Sequence, residues 1–295
     1  MNNVIATVKT MRPPFLLLTP ICIFLAYGLA SYHGYPLPME TAALALVCAM
    51  LGHIAVNMLN EYQDFKSGLD LNTTRTPFSG GSGALVATPS AADVTKTIAY
   101  LAIALIVIIG LYLSYTRTWL LVPLGIAGLV TIYQYTSTLN KLPWLCHIAP
   151  GFGFAWIMIL GTFLSLTYTI TLDAVAIAAI PFLLINNLLL LNQFPDIMAD
   201  KAHGRNTLPI AYGTKISAYV YTTNVLLAFG LVIFLVETRV LPETAYWAFC
   251  TLPFALISIL GAFEFGQGIG SKPFFLTTNV VVSLVTPFII ALTLW

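Results

Sequence analysis

The chain has 295 residues, of which 59% are hydrophobic and 8% charged, with a formal net charge of +1. A soluble domain carries about 25% charged residues, so this chain cannot clothe a water-facing surface, and its mean hydropathy of +0.90 places it in a bilayer. The near-zero charge also excludes nucleic-acid partners, because no basic field is present to displace counterions from phosphates.

In chain order, the opening MNNVIATVKTMRPP leads straight into an apolar run of spanning length, which reads as a first membrane helix and not as a cleaved leader. Predicted spans fall near 14–32, 40–59, 95–114, 118–137, 144–167, 172–194, 215–236, 243–263 and 273–294. Each is close to the roughly 20 residues that a hydrocarbon core demands. None alternates as a barrel strand does. The expected fold is therefore all-α: a polytopic membrane protein, a bundle of nine transmembrane helices forming one domain over 1–295, with related halves of approximately 1–140 and 141–295. The four cysteines, Cys22, Cys48, Cys146 and Cys250, lie in or beside apolar runs and read as small hydrophobes.

Lysine and arginine orient the spans. With the N-terminus cytoplasmic, the inside segments hold Lys9, Arg12, Lys66, Arg75, Lys96, Lys141, Lys201, Arg205, Lys215 and Lys272, and the outside holds Arg117 and Arg239. That bias predicts a cytoplasmic N-terminus, an outside Trp295 and a multi-pass protein of a prokaryotic plasma membrane whose site faces the cytoplasm.

Two long polar connections, from Glu61 to about Thr95 and from Pro195 to Thr214, are both cytoplasmic in this topology. Five of the eleven acidic residues, Glu61, Asp64, Asp70, Asp196 and Asp200, stand where these connections begin. The two stretches share Asn-x-x-x-Asp at an offset of 132, mapping Asn60 onto Asn192 and Asp64 onto Asp196. Residues four apart share a helix face, so each copy is expected to present a carboxamide and one or two carboxylates at a helix mouth. Oxygen ligands of this kind, with phosphate oxygens completing the shell, suit magnesium. The expected metal set is Asn60, Asp64, Asp70, Asn192, Asp196 and Asp200. Lys66, Arg75, Lys201 and Arg205 are the expected diphosphate contacts. Isolated acids at helix ends are ordinarily solvated loop starts; two matched clusters outweigh that reading.

These residues resemble the UbiA superfamily of intramembrane aromatic prenyltransferases, which has nine helices and two aspartate-rich motifs. The form Asn57-x-x-Asn60-Glu61-x-x-Asp64-x-x-x-Gly68-x-Asp70 is most similar to the branch that prenylates 1,4-dihydroxy-2-naphthoate for menaquinone, as are Arg75-Thr-Pro-Phe-Ser-Gly-Gly-Ser-Gly83 and Lys201-Ala-His-Gly-Arg-Asn-Thr207. Glu61 stands in place of an aspartate, and Gly151-Phe-Gly-Phe-Ala155 in place of GLGE. The resemblance implies magnesium-dependent transfer of a polyprenyl group from its diphosphate to an aromatic quinone precursor, both partners dissolved in or near membrane lipid. It implies catalytic roles for Asn60, Asp64, Asp196 and Lys201.

A cation formed in a dry pocket needs electron-rich faces, and the pocket expectation is Asn57, Tyr62, Tyr133 and Tyr135, with Phe152 and Trp156 as further ring candidates. Only one of Tyr133 and Tyr135 can border the pocket, since they point about 200° apart on a helix. His53, one turn before Asn57, reads as a packed histidine or a pocket residue. Gly80-Gly81-Ser82-Gly83 lacks the lysine of a phosphate loop and reads as a flexible cover over the diphosphate. Two alternatives stay open. One is a different acceptor, 4-hydroxybenzoate or a non-aromatic lipid alcohol; the other is a secondary transporter, which internal repeats would also suit.

Overall fold

The computed structural model describes residues 2–295, and their regular secondary structure is all helical, with no strand among them. A short helix α1 (Asn3–Thr10) lies ahead of α2 (Leu18–Tyr32), which a single tight turn at Pro13–Leu17 introduces. The long α3 (Met39–Ser67) is followed by two one-turn helices, α4 (Leu69–Asn72) and α5 (Ala84–Ala87). Next come α6 (Ala92–Thr116) and α7 (Leu121–Ser137). The following span is composite: α8 (Pro143–Gly151), a π-helical stretch at Phe152–Leu160, and α9 (Gly161–Thr167). The second half continues with α10 (Leu172–Asn192), short α11 (Ile197–Ala202), α12 (Leu208–Glu237), α13 (Leu252–Phe265) and α14 (Pro273–Thr293).

Eight helical segments among the described residues are long and apolar enough to cross a membrane. The run expected at 118–137 forms α7, whose 17 residues measure about 25 Å, short of the roughly 30 Å of hydrocarbon. Eight clear spans and one short helix thus stand where nine full spans were expected.

Side-chain burial sorts the helices. One apolar core runs from Leu18 and Leu25 on α2 through Ile177 and Leu184 on α10 to Tyr221 on α12 and Ile290 on α14. By contrast α6 turns Leu101, Leu105, Ile108 and Leu111 outward, which costs nothing where the solvent is lipid. Hydroxyls inside the spans bond the carbonyl one turn back, as Thr131 does to Ala127 and Thr222 to Ala218, so they need no water.

Helix ends decide where the polar groups go. Gly68 closes α3 in the left-handed conformation (φ 81°), which side chains other than glycine resist. The chain reverses there, and α4 brings Asp70 back toward α3. The second motif is built differently. Asn192 is the last residue of α10, Pro195 follows, and Asp196 lies in the turn that opens α11. The expected single helical face through Asn192, Asp196 and Asp200 is therefore broken, because proline cannot donate to the preceding turn.

Candidate active site

The two acidic stretches meet at one end of an elongated cavity of about 390 Å³. Nine of the fourteen residues expected in the site line it: Asn57, Asn60, Asp64, Asp70, Tyr135, Asn192, Asp196, Asp200 and Arg205. Away from the acids the wall becomes apolar, with Leu18, Ala49, Gly52, Leu129 and Met158. Ala45 and Asp64 both line it and lie on α3, so on helix geometry it extends about 28 Å, nearly a bilayer's depth.

Arg205 joins the two motifs. Its Nη2 donates to Asp64 Oδ1, and its Nη1 donates to Asp200 Oδ1 at 3.0 Å. Burial alone would lower the Arg205 pKa, but Asp64 and Asp200 more than offset that and hold it above the ordinary guanidinium range. Asn60 Nδ2 donates to Asp64 Oδ2 at 3.1 Å and to Thr136 Oγ1 at 3.1 Å, fixing the asparagine between α3 and α7. The backbone N–H of Gly80 donates to Asp196 Oδ2 at 3.0 Å.

The acids are not at a solvated mouth. Asp64, Asp70 and Asp200 are buried, at 7%, 4% and 4% exposure. Burial, reinforced by the charges of Glu61 and Asp64, pushes Asp70 up to about 7. Burial and the neighbouring Asp200 push Asp196 up to about 7. Asp200 is raised by burial, with Arg205 opposing.

Three oxygens at this end, Asp70 Oδ2, Asp196 Oδ1 and Asn192 Oδ1, are fully buried with no hydrogen-bond partner among the described residues. An unpaired buried acceptor is costly, and a cation is what such a set accommodates. No three acid, histidine or cysteine side chains among the described residues converge into a ready-made metal cage. Magnesium needs no such cage, because it takes one or two carboxylates and leaves its other positions to water and phosphate. The all-oxygen donor set fits that ion.

Five expected residues lie elsewhere. Tyr62 and Lys66 are on α3 but about 200° around it from Asn60 and Asp64, and Tyr62 sits beneath the ammonium groups of Lys66 at 5.7 Å and Lys96 at 5.4 Å. Tyr133 is 56% exposed on the outer face of α7, so the alternation resolves in favour of Tyr135. Lys201 is exposed on α11. Arg75 is also exposed, its Nη2 donating to the Asp70 carbonyl at 2.8 Å, a contact that braces the backbone and leaves the guanidinium outside the cavity. Phe152 and Trp156 are likewise off the cavity, Trp156 stacking on Phe182 with ring centroids 4.6 Å apart. The phenylalanine and tyrosine rings that do line it are Phe15, Phe78, Phe154 and Tyr135.

Arg12 was missed. It lines the cavity, and its Nε and Nη2 each lie 2.7 Å from Glu61 Oε1. Its backbone is left-handed (φ 53°), an uncommon state for a side-chain-bearing residue. Asn57 Nδ2 holds the neighbouring Met11 carbonyl at 2.9 Å. The one signal available was a lone arginine directly before Pro13-Pro14 in a chain poor in charge. Glu61, in turn, does not line the cavity. It accepts from Ser82 N at 2.8 Å and Ser82 Oγ at 2.6 Å. The glycine-rich loop is thus pinned to α3. Gly81 is left-handed (φ +71°) and a Cβ there would meet Asp70 Oδ1 at 3.0 Å, so only glycine lets the loop lie against the carboxylates.

Against known proteins, the profile of the UbiA prenyltransferase family matches residues 18–275. The chain belongs to the UbiA prenyltransferase family. It is a prenyltransferase, an enzyme that transfers alkyl groups other than methyl, and that membership sets the transporter alternative aside. It is 28% identical over 258 residues to the 1,4-dihydroxy-2-naphthoate octaprenyltransferase of Bacillus subtilis, covering 85% of this chain and 79% of that one. It is 27% identical over 214 residues to the digeranylgeranylglyceryl phosphate synthase of Methanobrevibacter smithii, covering 72% and 71%. Among solved structures, the apo UbiA homologue of Aeropyrum pernix superposes with a TM-score of 0.65 at 19% identity, covering 93% of this chain and 96% of that one. The Archaeoglobus fulgidus homologue bound to DMAPP and Mg2+ superposes with a TM-score of 0.61 at 14% identity, covering 94% and 98%.

Proposed function

We propose that this UbiA-family enzyme is a magnesium-dependent polyprenyltransferase that moves a polyprenyl group from its diphosphate to 1,4-dihydroxy-2-naphthoate, in menaquinone biosynthesis. The observation that carries the reading is the cavity itself: carboxylates and Arg205 from both motifs at one end, and a long apolar bore at the other. A diphosphate fits the first and a polyprenyl tail the second. The Bacillus subtilis relative and the Mg2+-bound homologue support the acceptor and the ion respectively.

Asp64, Asp70, Asp196 and Asp200, with Asn60 and Asn192, would hold magnesium. When bound, the ion supplies positive charge against the departing diphosphate. The chain's own groups do the rest. The Arg205 guanidinium lies between Asp64 and Asp200, where its N–H groups are available to the leaving oxygens. The allylic carbon–oxygen bond breaks with its electron pair going to diphosphate, and a carbon–carbon bond forms to the electron-rich acceptor ring. The ring regains aromaticity by releasing CO2 where the attacked carbon bears the carboxylate, or otherwise a proton to the departing diphosphate. The apolar wall keeps water from the cation, and the faces of Tyr135, Phe78 and Phe154 flank its path. A tail drawn from lipid gains little by burial alone, so donor affinity rests on the charged end, and the bore aligns the chain with its allylic carbon beside the carboxylates.

In this reading α7 completes nine spans, the halves 1–140 and 141–295 are related, and the N-terminus and the site face the cytoplasm of a prokaryotic cell. The test is direct: purified enzyme, an allylic polyprenyl diphosphate and magnesium, with 1,4-dihydroxy-2-naphthoate, 4-hydroxybenzoate or a glyceryl phosphate ether as acceptor. A prenylated dihydroxynaphthalene, with or without its carboxylate, and stoichiometric pyrophosphate are expected. Turnover of the glyceryl phosphate ether alone would move the enzyme to the group of its Methanobrevibacter smithii relative.

A further inference from the structure

We propose that His53 is a positioning residue that binds a ring hydroxyl of the aromatic acceptor; the inference rests on the acceptor reading above. His53 lines the cavity from α3 and is 4% exposed. It stands seven residues before Asn60 and eleven before Asp64 on the same helix. Those separations are about 10 Å and 16 Å along the axis. The stretch nearest Asp64 is where the diphosphate would sit, so His53 flanks the next stretch inward, beyond the allylic carbon.

The imidazole is held in place from two sides. Its Nδ1 lies 2.9 Å from Thr19 Oγ1, and the ring of Phe154 meets it edge-on at 4.5 Å between centroids. Thr19 is fully buried, and among the described residues its hydroxyl has no other hydrogen bond. Nε2 has no protein partner among the described residues, yet it is not among the fully buried unpaired atoms. Its remaining surface therefore opens on the cavity, in a wall to which Leu18, Ala49, Gly52 and Met158 give a largely apolar character. Against a hydrocarbon tail an imidazole nitrogen would stay unpaired, at a cost. Against a phenolic hydroxyl it gains a hydrogen bond, in either ring tautomer.

The bland alternative is that His53 and Thr19 merely staple α3 to α2. A cycle of enzyme and substrate changes separates the two. Wild type, His53→Phe and His53→Gln are assayed at saturating prenyl diphosphate with 1,4-dihydroxy-2-naphthoate and with each of its two monohydroxy analogues. The intrinsic loss of ring reactivity in an analogue is common to all enzymes and cancels in the ratios. Deleting one of the hydroxyls is expected to lower kcat/KM about tenfold more in wild type than in His53→Phe, the worth of one hydrogen bond. His53→Gln recovers part of that difference, and the KM for prenyl diphosphate stays within about twofold of wild type. Equal losses in wild type and His53→Phe for both analogues would leave only the staple and overturn the inference. If His53→Phe does not fold, His53→Leu runs the same cycle, with the same roughly tenfold difference expected and equal losses again overturning the inference. Wild-type enzyme that prenylates no naphthoate at all removes the acceptor reading and this inference together, whereas naphthoate turnover without coupling removes only the second.

Discussion

Arg205 donates to Asp64, 141 residues away in sequence, and with its other terminal nitrogen to Asp200 at 3.0 Å. One guanidinium thus holds the first-half motif against the second. Breaking a buried pair by deleting one partner costs about 3–5 kcal/mol, because the other charge is left uncompensated. Arg205→Leu is therefore expected to lower the thermal stability of the ligand-free enzyme clearly. Arg205→Lys is expected to keep most of the stability yet lose about tenfold to a hundredfold in kcat/KM, since an ammonium cannot serve two carboxylates in a fork. Thermal unfolding in detergent, set beside steady-state kinetics, checks both; an Arg205→Leu protein as stable as wild type would show the bridge to be incidental.

Asp196→Asn keeps an acceptor for the Gly80 N–H while removing charge. Turnover should fall at least about a hundredfold, with the unfolding temperature nearly unchanged. Asp64→Ala is a poorer probe, because it strands Arg205 as well. Near-normal turnover of Asp196→Asn at saturating magnesium would take that residue out of the metal set.

The exposed lysines give the contrasting case. Lys66→Ala and Lys201→Ala should each leave kcat/KM for prenyl diphosphate within about threefold of wild type, the range expected of screened surface charge. A tenfold rise in KM for either would mean that the segment closes over the substrate.

Tyr135→Leu removes a ring from the cavity wall, and Tyr133→Leu removes one from the outer face of α7. The first should lower kcat by about tenfold, given a cation–π contribution of roughly 1–2 kcal/mol when desolvated. The second should leave kcat unchanged. Pre-steady-state release of pyrophosphate locates the loss in the ionisation step.

Glu61→Ala frees Ser82 and Arg12 together. The glycine-rich loop at 73–83 should then become a site of limited proteolysis, and diphosphate should restore protection only partly. Cleavage no faster than in wild type would mean that Gly80 and Asp196 suffice to hold the loop.

Scarcity of charge made much of this chain legible. With 8% charged residues, the bilayer, the apolar helices and the two acid-bearing corners could all be read directly, because an ion in a chain this apolar has to be accounted for. The pairing of Asn60 with Asp64 also followed, since four residues are one helical turn. The tertiary structure decided which charges converge. Lys66, Lys201 and Arg205 are equivalent as letters near a motif, but only Arg205 lies inside, because α11 ends three residues before it and the chain folds back over Asp64 and Asp200. Asp70 reaches the site through the reversal at Gly68, and Glu61 faces the loop and Arg12 while its neighbour Asn60 faces the cavity. Adjacent residues on a helix diverge by about 100°, so the direction each side chain takes depends on the helices packed around α3, and on contacts more than a hundred residues apart that no local spacing encodes.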